Sequence, residues 1–219
     1  IWEEILDAFS APVVNICGDE PHDLGRGRNA ARLDEAGRAS AYVRRISDTC
    51  RFVQSRGRSA QMWSDVLVHD LDSLGDPQGG TGSQPGVQQA ADLPDQQQLG
   101  ELPHPLRNLP HLLRDLPRDI TVLHWGYDEG SRYDMTRRFV EAGFPTVVCP
   151  GTTGWKRILN AIGLAERNIT SFARAGLDAG ATGLLNTDWG DHGHFNAPGC
   201  SAHGIALGAA CGRSGIREP

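Results

Sequence analysis

Five short apolar segments, separated by stretches with a helical stripe, constrain this chain more than any other feature. The segments lie at Val13, Met62, Ile120, Val147 and Leu184. Residues 1–10 place Ile1, Trp2, Ile5, Leu6 and Phe9 on one helical face, and Pro12 ends the stripe. The pattern predicts further helices over 29–56, with Gly57 as a C-cap, over 136–144, over 155–180 as one or two helices, and over 203–212. Strict alternation of this kind predicts parallel strands joined by crossover helices. The run from Val13 to Cys17 is apolar apart from Asn15, and suits a parallel strand covered on both faces. The other strands are expected over 59–68, 119–127, 145–151 and 181–191.

One stretch breaks the alternation. Of the 27 residues from Leu74 to Gly100, 16 are Gly, Gln or Pro, and none is aromatic. Such a segment cannot bury enough apolar surface to offset its ordering entropy. A seven-residue repeat follows in LPHPLRN (102–108), LPHLLRD (109–115) and LPRD (116–119), and the Pro in each unit forbids a coiled coil. Residues 74–115 therefore read as a disordered, low-complexity insertion within a single domain spanning 1–219.

The chemistry gathers at the C-terminal ends of the strands. These ends read Asn15–Glu20, Trp63-Ser64-Asp65, His124-Trp125-Gly126-Tyr127, Cys149-Pro150-Gly151 and Thr187–Asp191. A (β/α)8 barrel builds its active sites on that face. A doubly wound sheet usually carries a glycine-rich phosphate loop, and neither GxGxxG nor GK[ST] occurs here. The barrel is the better reading. Trp63, Trp125, Trp155 and Trp189 fall at or just beyond four strand ends. Indole faces supply rigid apolar area for sugar rings, although any single Trp is equally a core filler. Asp19 and Glu20 form the sharpest pair. Two neighbouring carboxylates push their pKa values apart, which separates acid from base as glycoside cleavage requires. Taken alone, Gly-Asp-Glu is equally a helix N-cap.

Other classes are disfavoured. With 21 Lys+Arg against 27 Asp+Glu, the net charge of -6 argues against nucleic acid as a partner. No run of about 18 apolar residues is present to cross a membrane. Cys17, Cys50, Cys149, Cys200 and Cys211 are scattered, with no CxxC, so a reducing, cytoplasmic setting is expected rather than a disulfide framework. His192/His194 and Cys200/His203 are isolated pairs, so neither metal nor cofactor is expected. Arg26, Arg28, Arg44 and Arg45 read as a solvated face, and His22 as a solvent-facing polar residue beside the acid pair. The Asn168-Ile169-Thr170 sequon lies in a helical region and is discounted.

Several blocks in order resemble glycoside hydrolase family 20, closest to its bacterial β-N-acetylhexosaminidase-like branch. They are NICGDEPHDLGRGR (15–28), QMWSDVLVHD (61–70), LPRDITVLHWGY (116–127), FPTVVCPGTTGW (144–155) and NTDWGDHGHF (186–195). The family's Gly-x-Asp-Glu signature stands here as Cys17-Gly18-Asp19-Glu20, one residue shorter, and its Trp-x-acid signature as Trp189-Gly190-Asp191. The resemblance implies a retaining mechanism in which the substrate's own acetamido oxygen attacks the anomeric carbon. It casts Glu20 as general acid and then base, and Asp19 as the group that polarises the acetamido N–H. Trp63, Trp125 and Trp189 would wall the pocket, and Asp191 would accept bonds from sugar hydroxyls. The implied partner is an amino-sugar glycan or glycoside.

Two departures accompany the resemblance. The family's seventh-strand Tyr-x-Asp is replaced by Val148-Cys149-Pro150, with Tyr127 as the substitute. If Val13–Glu20 is the fourth strand, the chain holds strands four to eight, and a missing N-terminal half-barrel, with its sugar-gripping Arg, is expected from a longer protein. That five strands cannot close an eight-stranded barrel predicts an exposed apolar edge and an incomplete fold in isolation. The opening Ile-Trp-Glu-Glu carries no initiator Met and, being acidic with no basic stretch, is not expected to be a signal peptide. The alternative reading is a catalytically inactive carbohydrate-binding remnant.

Overall fold

A computed structural model describes residues 1–21, 24, 27, 30–68, 113–127, 133–191, 193 and 195–214. Most of the expected insertion (74–112) lies outside the described residues, as do His22, Arg26, Arg28, His192 and His194. In chain order the elements are α1 (Trp2–Ala8), β1 (Val13–Asn15), α2 (Ala30–Ser55), β2 (Ser59–Trp63) and α3 (Asp65–Val68). Then come β3 (Thr121–Trp125), α4 (Asp134–Glu141), β4 (Thr146–Cys149), α5 (Ile162–Ala179) and β5 (Gly183–Leu184). A 3-10 turn (Pro198–Ser201) leads into α6 (Ala202–Ser214).

All four strand pairs are parallel, and the spatial order is β1-β2-β3-β4-β5. A doubly wound sheet reverses direction at a switch point; an unbroken sequential order is that of a barrel arc. The fold is α/β, a partial barrel of the TIM type.

Alternation along each strand sorts side chains onto two faces. Ala60 and Met62 on β2 and Val122 on β3 join Val53 of α2 and Met135 and Phe139 of α4 in the layer between sheet and helices. The register pairs Met62 with Val122, so the same face continues from strand to strand. Phe139 and Phe172 are fully buried, each contributing about 1.5–3 kcal/mol by removal from water. α5 approaches β4 closely at Gly176, where a Cβ would stand 2.8 Å from Val148 Cγ1. The opposite face carries Trp63, Leu123 and Cys149, with Trp125, Val147 and Trp189 packed against them. This inner face bears the candidate site.

Several expected elements differ in extent. The segment 59–68 ends as a strand at Trp63 and turns into α3, where the Leu67 and Val68 N–H groups donate to the Ser64 carbonyl at 2.8 and 3.1 Å. The apolar run looked continuous because α3 is buried on every side. The long helix over 29–56 is present but kinked at Gly37 (φ 71, ψ 154), a conformation open to glycine. Gly57 ends it as expected, with φ 73 and its N–H on the Gln54 carbonyl at 2.8 Å. The strand expected over 181–191 shrinks to Gly183–Leu184 plus one bridge from Thr187 to Gly151.

β1 is also corrected. It is an edge strand, with Val13 43% exposed, and is not covered on both faces. Its apolar composition could not distinguish the edge from the interior, because coverage depends on a neighbouring strand. Leu185, just past β5, is exposed to the same degree at the other edge. Leu113, inside the stretch assigned to the insertion, is buried with Leu116 in the sheet–helix layer. The core therefore resumes three residues before the low-complexity pattern ends. Asn168 is fully buried, which agrees with discounting its sequon.

Candidate functional site

The acid pair sits on a loop whose backbone is forced. Leaving β1, Cys17 (φ 59), Gly18 (φ 85) and Glu20 (φ 41) are all left-handed. For a non-glycine residue that conformation costs about 1–2 kcal/mol, so surrounding contacts must hold it. Four anchors do. Asn15 Oδ1 accepts the Cys17 N–H at 2.8 Å, and the Trp63 N–H donates to the Cys17 carbonyl at 3.0 Å. The Tyr42 hydroxyl, from α2, donates to the Gly18 carbonyl at 2.6 Å. The Glu20 N–H donates to Asp65 Oδ2 at 2.8 Å. Only glycine fits at position 18, where a Cβ would meet Ile46 Cδ1 at 2.8 Å and the Tyr42 oxygen at 3.0 Å. The loop leaves the side chains of Asp19 and Glu20 exposed at the C-terminal end of β1.

Asp65 was legible in the sequence only as part of the β2 end, without a role of its own. It opens α3 immediately after the β2 end and is 3% exposed. Burial pushes its carboxyl up to about 6. Bonds from the Glu20 amide, its own amide and the Trp125 indole oppose that rise, and the nearby Asp19 charge adds to it. Its second oxygen, Oδ1, accepts the Trp125 Nε1–H in a long bond of 3.4 Å. The only signal in the sequence was an acid placed two residues after a strand-end Trp.

The aromatic residues form one connected wall. Trp63 meets Trp189 edge-on with centroids 5.5 Å apart. The Trp189 Nε1–H donates to the Tyr127 hydroxyl oxygen. Tyr127 stacks on Trp125 at 5.1 Å and meets Trp155 edge-on at 4.7 Å. Each such ring pair contributes about 0.5–1.5 kcal/mol beyond its buried area and fixes ring orientation. Tyr127 is the hub, and burial raises its phenol so that it stays protonated. Gly151 lets the wall close: a Cβ there would lie 2.9 Å from the Trp155 ring and 3.0 Å from Tyr127 Cδ1.

Asp65 thus joins the Glu20 backbone to Trp125, and from Trp125 the ring contacts and the Trp189–Tyr127 bond run on to Tyr127, Trp189, Trp63 and the additional Trp155. Asp19 lies close enough to Asp65 for its charge to be felt there. Asp191 is exposed in the turn after Trp189, and its charge is felt by Tyr127. Asp188, by contrast, is tied back: Thr152 Oγ1 and Ser201 Oγ both donate to its Oδ1, the second at 2.9 Å. Cys149, where the family resemblance would expect the end of a Tyr-bearing strand, is fully buried against the inner face, and burial raises its thiol.

Asn168 of α5 straps two strand ends together. Its Nδ2 donates to the Gly126 carbonyl at 2.8 Å and to the Tyr133 hydroxyl at 2.9 Å, while its Oδ1 accepts the Gly151 N–H at 3.0 Å. Gly126 precedes the hub and Gly151 faces it, so this buried amide fixes the wall from behind. Among the described residues no group of three or more His, Cys, Asp or Glu could hold a metal ion. No helix among them is long and apolar enough to cross a membrane.

With the arc, the acid loop and the wall in place, the chain can be compared with known proteins. It is similar to a solved β-N-acetylhexosaminidase from Bacteroides fragilis. The match has a TM-score of 0.58 at 12% identity and covers 100% of this chain. It spans 40% of that chain's length. At this identity the likeness establishes the partial-barrel fold. No protein-family model and no curated protein matches.

Proposed function

We propose that this chain is part of a glycoside hydrolase that removes terminal β-linked N-acetylhexosamine from an amino-sugar glycan or glycoside. The observation that carries this reading is the continuous link from the acid loop through Asp65 to the aromatic wall. It supports the reading because the loop that carries Asp19 and Glu20 is tied by its backbone to a residue that also holds the Trp125 indole, at the C-terminal end of a barrel arc, where such folds build their sites.

In this mechanism the sugar lies against Trp63, Trp125 and Trp189. Glu20 gives its proton to the glycosidic oxygen as the acetamido oxygen attacks the anomeric carbon, and the aglycone leaves. Asp19 holds the acetamido N–H, and its charge stabilises the oxazolinium cation. Water then adds at the anomeric carbon and Glu20 takes its proton, so the anomeric configuration is retained. The Tyr127 phenol keeps its proton and can donate to the acetamido carbonyl. Asp191 accepts from sugar hydroxyls.

The test is release of p-nitrophenol from its β-N-acetylglucosaminide. Removing the proton donor in Glu20→Gln is expected to lower kcat/KM by about 10²–10⁴-fold. Equal rates for the two proteins overturn the reading. A second reading, an inactive carbohydrate-binding remnant, is favoured by the buried Cys149 at the β4 end and the open edge at Val13. Quenching of Trp fluorescence by N-acetylglucosamine without turnover supports it.

A further inference from the structure

Two N–H donors from opposite sides of the site converge on the Asp65 carboxyl. The Glu20 amide, 45 residues away in sequence, donates to Oδ2 at 2.8 Å. The Trp125 indole, 60 residues away, donates to Oδ1 at 3.4 Å. Glu20 is held at φ 41, a conformation that its own side chain does not favour. Asp65 is itself immobilised, since it opens α3, is 3% exposed, and is followed by the buried Val66, Leu67 and Val68.

We propose that Asp65 is a positioning residue: its two oxygens tie the acid loop to the aromatic wall and so set where Glu20 stands relative to a sugar stacked on Trp125. The proposal rests on the glycosidase reading for its consequence in catalysis, while the tie itself is a property of the fold. The carboxylate is required by donor count. Each N–H needs an acceptor, and Asp supplies two oxygens. An Asn of the same volume supplies one oxygen and one NH₂, so one N–H must face another donor. The amide can hold the loop or the wall, and not both.

The chemistry predicts where the loss falls. A misplaced proton donor matters most when the leaving group needs a proton. With a methyl β-N-acetylglucosaminide, Asp65→Asn is expected to lower kcat by about 10²-fold, the scale of a displacement near 1 Å, with little change in KM. With a 2,4-dinitrophenyl glycoside, whose departure needs little acid help, the loss is expected to stay within about five-fold. A general loss of folded protein would reduce both alike, so equal losses, or no loss, overturn the proposal.

A second readout does not depend on turnover. In the wild-type chain, nuclear magnetic resonance of the Glu20 amide proton and the Trp125 indole proton reports the same carboxyl. Among the described residues Asp19 acts on Asp65 by its charge, and Asp65 acts on Tyr42; the Glu20 carboxyl lies next to its own amide, so the step shared with the Trp125 indole is the one that reports Asp65. Asp19 is not bonded to both donors, and the Tyr42 phenol is raised by burial beyond the titration window. Both proton resonances are expected to move together with one midpoint near 6, set by Asp65. Different midpoints, or no step at either proton, overturn the tie. If the wild type turns over no hexosaminide, the glycosidase reading fails while this titration still decides the tie.

Discussion

Deprotonating Asp65 should weaken the fold, opposite to the behaviour of a salt-bridged carboxylate. Its carboxyl is 3% exposed and is pushed from 3.8 up to about 6, first by burial and then by the Asp19 charge, against the bonds donated by Glu20, its own amide and Trp125. Between these two pH values the native state binds more protons than the unfolded chain. Stability from this group is therefore fully present below 3.8 and is lost as pH rises through about 6. Moving a buried carboxyl over that interval corresponds to about 3 kcal/mol. Asp65→Asn removes the titration and adds a pH-independent cost of about 1–3 kcal/mol for the N–H left without an acceptor. The assay is urea unfolding of both proteins from about pH 4 to about pH 7.5. Carboxylates remote from Asp65 cancel between the two proteins, so the difference between the curves reports Asp65 together with its coupling to Asp19. With a slope of about 2 kcal/mol per molar urea, the wild-type midpoint should fall relative to the variant by about 1–2 M across the range. Parallel curves would refute the claim that desolvation dominates at Asp65.

Other perturbations probe the wall and its support. Gly151→Ala puts a methyl 2.9 Å from Trp155 and 3.0 Å from Tyr127. It should cost about 1–3 kcal/mol and weaken the Trp fluorescence response to N-acetylglucosamine, and an unchanged response argues against a site at that wall. Asn168→Ala strips two buried hydrogen bonds that join the β3 and β4 ends and a third to the Tyr133 hydroxyl. A loss of about 3–5 kcal/mol is expected by thermal unfolding, and a loss below about 1 kcal/mol would show that the strap is dispensable.

The five strands were legible because each signal is local. Apolar runs at Val13, Met62, Val122, Val147 and Leu184, separated by helical stripes, report the order of elements without reference to their packing. Trp63 and Trp125 were legible as strand-end residues for the same reason, while Trp155 and Trp189 lie in the loops beyond β4 and β5. The break at Ser64 was not legible, since a buried helix turn and a buried strand present the same apolar composition. Nor was the edge at Val13, whose exposure depends on what lies beside β1.

The candidate site divides in the same way. Which acids and indoles reach the C-terminal ends of the strands is written in chain order, because parallel strands all point the same way. That Asp65 is buried, that Tyr127 joins Trp125, Trp155 and Trp189, and that Asn168 straps Gly126 to Gly151 were decided by tertiary structure. Desolvation and these hydrogen bonds arise between residues 17 to 62 apart in sequence, and such separations close only when the sheet curls and the helices pack behind it.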